Sequence, residues 1–180
     1  MCCIMKHYTS ISLLFATGLA IAALSASSQQ MKGEGSANEL KAIIIIGRLK
    51  DFGTRNWRPS VYIDETELAR SQNGRYLVAK VDPGKRTVRA EDPKHSLEIE
   101  LKAGGCYFFR VEIASGLAKA HGQLVGLTAE QGASDLKLLT PIDPSHVKDT
   151  SEVLSPDEAA TVAAGCTTRA SSRQASRPPS

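Results

Sequence analysis

The sequence predicts an all-β body, an antiparallel sandwich or barrel of about seven strands, and three observations point there. Short apolar runs of period two fill residues 42 to 129. Clusters of Gly, Pro, Asn and Asp separate those runs. An apolar leader and a polar tail take up residues 1 to 30 and 165 to 180 of the 180, leaving at most 134 for the fold, which is enough for a single core.

The strands follow in order. Ala42 to Gly47 is a continuous run rich in isoleucine, so it reads as a strand covered on both faces. A polar connection from Arg48 to Pro59 carries Phe52 and the only tryptophan, Trp57. Val61 to Asp64 is a short strand ending in an acidic turn. Asn73-Gly74 stands directly before Arg75 to Val81, and Asn-Gly supplies the positive φ angles of a tight hairpin. Asp82-Pro83-Gly84-Lys85 is a second turn of the Pro-Gly kind, so the strands on either side of it, Arg75 to Val81 and Arg86 to Ala90, are expected to pair. Leu97, Ile99 and Leu101 alternate with Glu98, Glu100 and Lys102, which makes one dry and one wet face. After Gly104-Gly105, Tyr107, Phe109, Val111 and Ile113 share a face. Cys106 lies opposite with Phe108, Arg110 and Glu112, on the more polar side. Gln123 to Leu127 is the last strand.

Short helical segments close the chain. Thr128 and Gln131 have the spacing of a capping box, which starts a short helix toward Leu138, weakened by Gly132. Pro141 and Pro144 end the ordered body. Ser155-Pro156-Asp157-Glu158 opens a second helix near 156–164, and Gly165 stops it. The remaining Ser, Thr, Arg and Pro tail lacks the apolar surface to fold. The predicted organisation is thus a leader over 1–30, a sandwich domain over 40–140 and an extension over 141–180.

Residues 11 to 24 are apolar, follow Lys6 and precede the small-residue run Ser25 to Ser28, which is the pattern of an export signal cleaved between Ser25 and Gln30. The run is short of the roughly 20 residues that span a bilayer. Cys2 and Cys3 do not stand at its end, where a lipid-accepting cysteine belongs, so a soluble periplasmic or secreted protein is expected. An uncleaved anchor is the alternative. The formal charge of +3 comes from the same ends. Lys6, Arg169, Arg173 and Arg177 account for four of 22 basic residues, leaving 18 against 19 acidic ones. A body so balanced lacks the clustered cationic charge of a nucleic-acid surface.

Export also bears on the cysteines. Cys106 and Cys166 are the only two left after the leader, and an oxidising compartment permits a bridge between them; two unrelated thiols is the other reading.

Val61-Tyr62-Ile63-Asp64, Asn73-Gly74-Arg75-Tyr76, Val81-Asp82-Pro83-Gly84 and Val88, followed by Gly105-Cys106-Tyr107-Phe108, resemble an uncharacterised family of small exported bacterial proteins, many of them lipoproteins. The series is also similar to PEGA-type surface domains. The resemblance implies a prealbumin-like or immunoglobulin-like β-sandwich in the cell envelope, and no reaction.

Chemistry is sparse. His95, His121 and His146 stand apart in sequence and no HExxH, CxxC or calcium-loop spacing occurs, so no metal or cofactor is expected and the histidines read as surface residues. Cys106 as a nucleophile would need His121 or a positive charge beside it. Glu98 and Glu100 share a strand face but read as solvated charges. Trp57, with Phe52, Tyr62, Arg55 and Arg58, is the best candidate for recognition, since aromatics beside arginines stack on sugars or anchor proteins. The competing reading has Trp57 capping the core at a sandwich edge. The function expected is therefore a non-enzymatic exported module that binds or scaffolds an envelope protein or glycan. A small thiol enzyme at Cys106 and a carbohydrate-binding module at Trp57 are the alternatives.

Overall fold

The isoleucine run is central because each of its faces meets a different apolar layer. In the computed structural model, which describes residues 40–114 and 121–175, it is strand β1 (Ala42–Arg48). Ala42, Ile44 and Ile46 point into one buried cluster, while Ile45 joins a second on the opposite side. The described residues belong to one compact unit.

Eight further strands follow: β2 (Ser60–Ile63), β3 (Thr66–Arg70), β4 (Arg75–Val81), β5 (Gly84–Ala90), β6 (Leu97–Leu101), β7 (Cys106–Ala114), β8 (His121–Leu127) and β9 (Thr140–Pro141). They form a five-stranded sheet in the order β8-β7-β1-β4-β9 and a four-stranded sheet in the order β3-β2-β5-β6. Between the sheets lie Ile44, Ile46, Leu77, Ala79, Phe109, Val111 and Leu124 from the first, against Val61, Ile63, Leu68, Val88 and Leu101 from the second. The alternation read along β6 and β7 places Leu101, Phe109 and Val111 correctly. Two pairings depart from the antiparallel expectation, since β1 runs parallel to β7 and β4 parallel to β9.

The turns behave differently from their sequence signals. Gly74 and Gly84 adopt positive φ (74° and 121°), as Asn-Gly and Pro-Gly turns require. Yet neither turn makes a hairpin. β4 pairs with β1 and β9, whereas β3 and β5 belong to the other sheet, so both turns carry the chain across the core from one sheet to the other. The expected pairing of β4 with β5 is corrected. A tight turn reverses direction, but it does not decide whether the next strand bonds beside the last or stacks over it. The β2–β3 hairpin is closed without glycine. Asp64 itself takes φ 52° and accepts bonds from Thr87 N–H (2.9 Å) and Arg86 (3.0 Å).

Helix α1 (Ala129–Leu136) begins with the predicted capping box, Thr128 Oγ1 accepting from Gln131 N–H and the Gln131 side chain accepting from Thr128 N–H. Gly132 lowers its helix propensity but permits the packing, because a Cβ there would lie 2.3 Å from the Phe108 ring. Order does not end at Pro141 and Pro144. Ile142 and Val153 join the core between the sheets, and Val153 bridges to Ala79 of β4. Helix α2 runs Pro156–Ala175, past the stop expected at Gly165. Ala159, Ala163, Cys166 and Ala170 recur at spacings of four, three and four and are buried, the first three packing against the five-stranded sheet. The tail expected to be unfolded therefore contributes its first eleven residues, 165–175, to α2. Arg169 donates to Gly104 O at 3.3 Å. The expected leader over 1–30 and residues 176–180 lie outside the described residues. Among the described residues no helix is long and apolar enough to cross a membrane.

Candidate functional site

The corner where β5 ends and β8 begins gathers the residues with the most chemical capacity. The loop between β1 and β2 reaches it, and its base is set by Arg48 at the end of β1. Arg48 is almost fully buried and donates to Trp57 O, Thr54 O (2.6 Å) and Thr54 Oγ1 (3.1 Å). Burial pushes its pKa down and the nearby Asp51 carboxylate opposes that shift. Asp51 in turn accepts from Thr54 Oγ1 (2.7 Å) and Gly53 N–H (2.9 Å), bonds that hold its carboxyl below the usual range. Asn73 of the Asn-Gly turn accepts from Asp51 N–H at 2.8 Å, tying loop to turn. A planar guanidinium bonded to two carbonyls fixes a loop more firmly than one bond would.

The residues singled out for recognition separate in the structure. Phe52 is 89% exposed at its tip. Arg58 is exposed, as is Arg55. Trp57 is half-buried, and its indole N–H donates to Glu91 Oε2 at 3.3 Å. Tyr62 is not part of the group: it lies on the outer face of β2 beneath Arg89, whose guanidinium carbon is 3.8 Å from the ring centroid.

Beside Glu91 the chain makes a 3-10 turn over Pro93–His95. Asp92 caps it, accepting from Lys94 N–H (2.9 Å) through one oxygen and bonding His95 Nδ1 (2.9 Å) through the other. The Lys94 amide and then His95 hold the Asp92 carboxyl below its ordinary range. The His95 ring stacks on His121, with centroids 5.3 Å apart and 18° between planes. Antiparallel pairing of β7 and β8 sets Ala114 opposite His121. Gly122 lets β8 close over the loop's end, since a Cβ there would stand 2.5 Å from Pro59 and 3.6 Å from Ala90. The reading of these histidines as isolated is corrected for His95 and His121. The Asp-x-x-His spacing of Asp92 and His95 was a local signal, but the 26 residues to His121 hid the third member until the strands paired.

Cys106 and Cys166 are joined in a disulfide, Cα to Cα 5.9 Å. The bridge leads from β7 to the α2 seam. The side of β7 on which it lies, expected to be the more polar one, is largely covered: Phe108 is buried there with Ile45, Tyr76, Val78 and Leu139. The Cys106 sulfur is therefore bonded to carbon and sulfur with no thiol proton to give up. His121 faces Ala114, eight residues along β7 from Cys106, which is roughly 26 Å of strand. The imidazole imagined as a base for this cysteine thus sits at the other end of the strand. Glu98 and Glu100 point to solvent from β6. An open depression beside Arg48 is lined by Asp51, Arg110 and Glu112, yet its charges are already engaged. Arg110 forms a two-pronged pair with Asp135 (2.8 and 2.9 Å) and a longer contact to Glu112 (3.5 Å).

A family model described as a protein of unknown function, DUF2846, matches residues 39–123. The matched stretch runs from β1 into β8, so it holds the loop, Asp92, His95, His121 and Cys106, and leaves out α1, α2 and Cys166. No curated protein and no solved structure matches the chain.

Proposed function

We propose that this chain is a non-enzymatic module of the bacterial envelope, exported by its apolar leader. In this reading its sandwich is prealbumin-like or immunoglobulin-like, and it binds a protein partner through the loop between β1 and β2. The observation that carries this reading is Phe52, a large aromatic 89% exposed at the tip of a loop whose base is bolted by the buried Arg48. An exposed ring on a rigid base can enter a partner's pocket with little loss of conformational entropy. Lys50, Arg55 and Arg58 flank it and outnumber the single Asp51, so the matching surface is an apolar pocket rimmed by carboxylates. A glycan at Trp57 has less support, because that indole N–H is already spent on Glu91. The bonded Cys106 leaves a thiol enzyme without its nucleophile. The likeness to PEGA-type surface domains and to exported lipoprotein families belongs to the same proposal.

A photo-crosslinking amino acid at position 52, in cells exporting the full chain, tests the loop. The expected result is one discrete adduct that Arg58→Glu abolishes and that a probe at the exposed Glu98 does not form. Equal labelling from both positions, or none from position 52, overturns the reading. Export is tested separately by the mass of the mature chain, whose N-terminus should fall between Ser25 and Gln30.

A further inference from the structure

The stacked histidine pair and its aspartate form a second site that the partner-binding reading does not use. One potential ligand atom each from Asp92, His95 and His121 lies within 4.8 Å of the other two. We propose that these three side chains bind a divalent first-row transition-metal ion of the Zn2+ class.

Two imidazoles and a carboxylate are the donor set that suits Zn2+, Ni2+ or Cu2+ and disfavours Mg2+ and Ca2+, which prefer all-oxygen shells. Two of the ligands are preset by one turn. Pro93 opens the 3-10 turn, Asp92 caps it, and His95 follows three residues later with its backbone N–H on Asp92 O at 3.2 Å. The third is delivered by the fold, as β8 closes over Pro59 and Ala90 and sets its first residue against the turn. A tetrahedral zinc site with bonds of about 2.0–2.1 Å places ligand atoms roughly 3.4 Å apart, and the three lie within 4.8 Å of one another with Asp92 Oδ2 and His95 Nδ1 already at 2.9 Å, so small side-chain rotations are what the site requires. The side chains that would move have room to do so: His95 is 51% exposed. Three protein ligands leave the remaining position to water. Without the metal, a carboxylate faces two stacked rings in partial solvent. With it, all three converge on one charge.

Calorimetric titration of the full chain with Zn2+ tests the site, read together with the histidine side-chain 1H–15N spectrum. Cys2, Cys3 and His7 are common to every variant, so the variant-dependent step is the one that counts. The expected result is a step weakened at least about tenfold in His95→Gln and in His121→Gln, unchanged in His146→Gln, and accompanied by shifts of the His95 and His121 rings. Asp92→Asn keeps the turn cap and removes the charge, so it should weaken the step while the chelator-treated protein still unfolds in one cooperative transition. Isotherms that superimpose for wild type, His95→Gln and His121→Gln overturn the proposal. So does displacement of the bound Zn2+ by an equal concentration of Mg2+.

Discussion

The two sheets share one core but meet their surroundings in opposite ways. The five-stranded sheet is covered twice: Ile44, Leu77 and Phe109 face the other sheet, while Ile45, Val78 and Phe108 lie under α1 and α2. Among the described residues the four-stranded sheet is covered once. Its outer face carries Tyr62 and Arg89, joined by a cation–π contact, and the exposed Glu98 and Glu100. The difference teaches where stability and exposure were placed. The doubly covered sheet ends on the disulfide and the helix seam, whereas the loop between β1 and β2 and the histidine corner lie along the border where the two sheets meet.

Removing the helical cover should show the contrast most strongly. Cys106→Ala with Cys166→Ala opens a closure of 60 residues and is expected to cost about 4 kcal/mol on the chain-entropy account, measured by urea unfolding of oxidised wild type against the double variant. The unfolding of α2 should then separate from that of the sandwich. The two helix glycines come next and should differ in sign. Gly132→Ala drives a Cβ into the Phe108 ring and should destabilise by about 1–3 kcal/mol despite alanine's better helix propensity. Gly165→Ala meets nothing within 4 Å and should stabilise by about 0.5–1 kcal/mol. Equal effects at the two positions would mean that α1 does not seat on the sheet as described. On the wet face, Arg89→Ala removes the contact with Tyr62 and should cost only about 0.5–1 kcal/mol, read from the same denaturation midpoints.

The smallest expected effect is a slope. Burial, and then the neighbouring Asp149, push the Glu152 carboxyl above its ordinary value. The folded state thus holds that proton more tightly than the unfolded chain. Its contribution is full below the unfolded carboxyl range near about pH 4.3 and is lost as the pH rises through the raised folded value. Exposed carboxylates such as Asp51, Asp82 and Asp143 are shifted down and act in the opposite sense, gaining stability as they ionise. Glu152→Gln should therefore make stability rise more steeply with pH than in wild type. An unchanged slope would show that Glu152 is as solvated as in the unfolded chain.

Much of the strand inventory was legible because it is written in period two. The alternation of Leu97, Ile99 and Leu101 and of Tyr107, Phe109 and Val111 gave both the strands and their inward faces, and the unbroken isoleucines of β1 announced cover on two sides. The Thr128 and Gln131 box was readable for the same local reason. The α2 seam was less visible, since Ala159, Ala163, Cys166 and Ala170 are too small to stand out as an apolar stripe. Of the candidate site, the loop with Phe52, Trp57 and Arg58 was singled out by its aromatics, whereas its anchor Arg48 looked like any polar residue after a strand. Its burial is a property of the assembled corner.

Side-chain periodicity, turn chemistry and capping are local, and the sequence by itself determined these: the strand faces, the reversals at Gly74 and Gly84, and the start of each helix. Which strands became neighbours was decided only in three dimensions. A reversal is satisfied equally by bonding beside the last strand or crossing the core, and burial of β4 between β1 and β9 selected the crossing. The same long-range pairing set His121 against His95 and Cys166 against Cys106, separations over which a chain carries no local record of its partners.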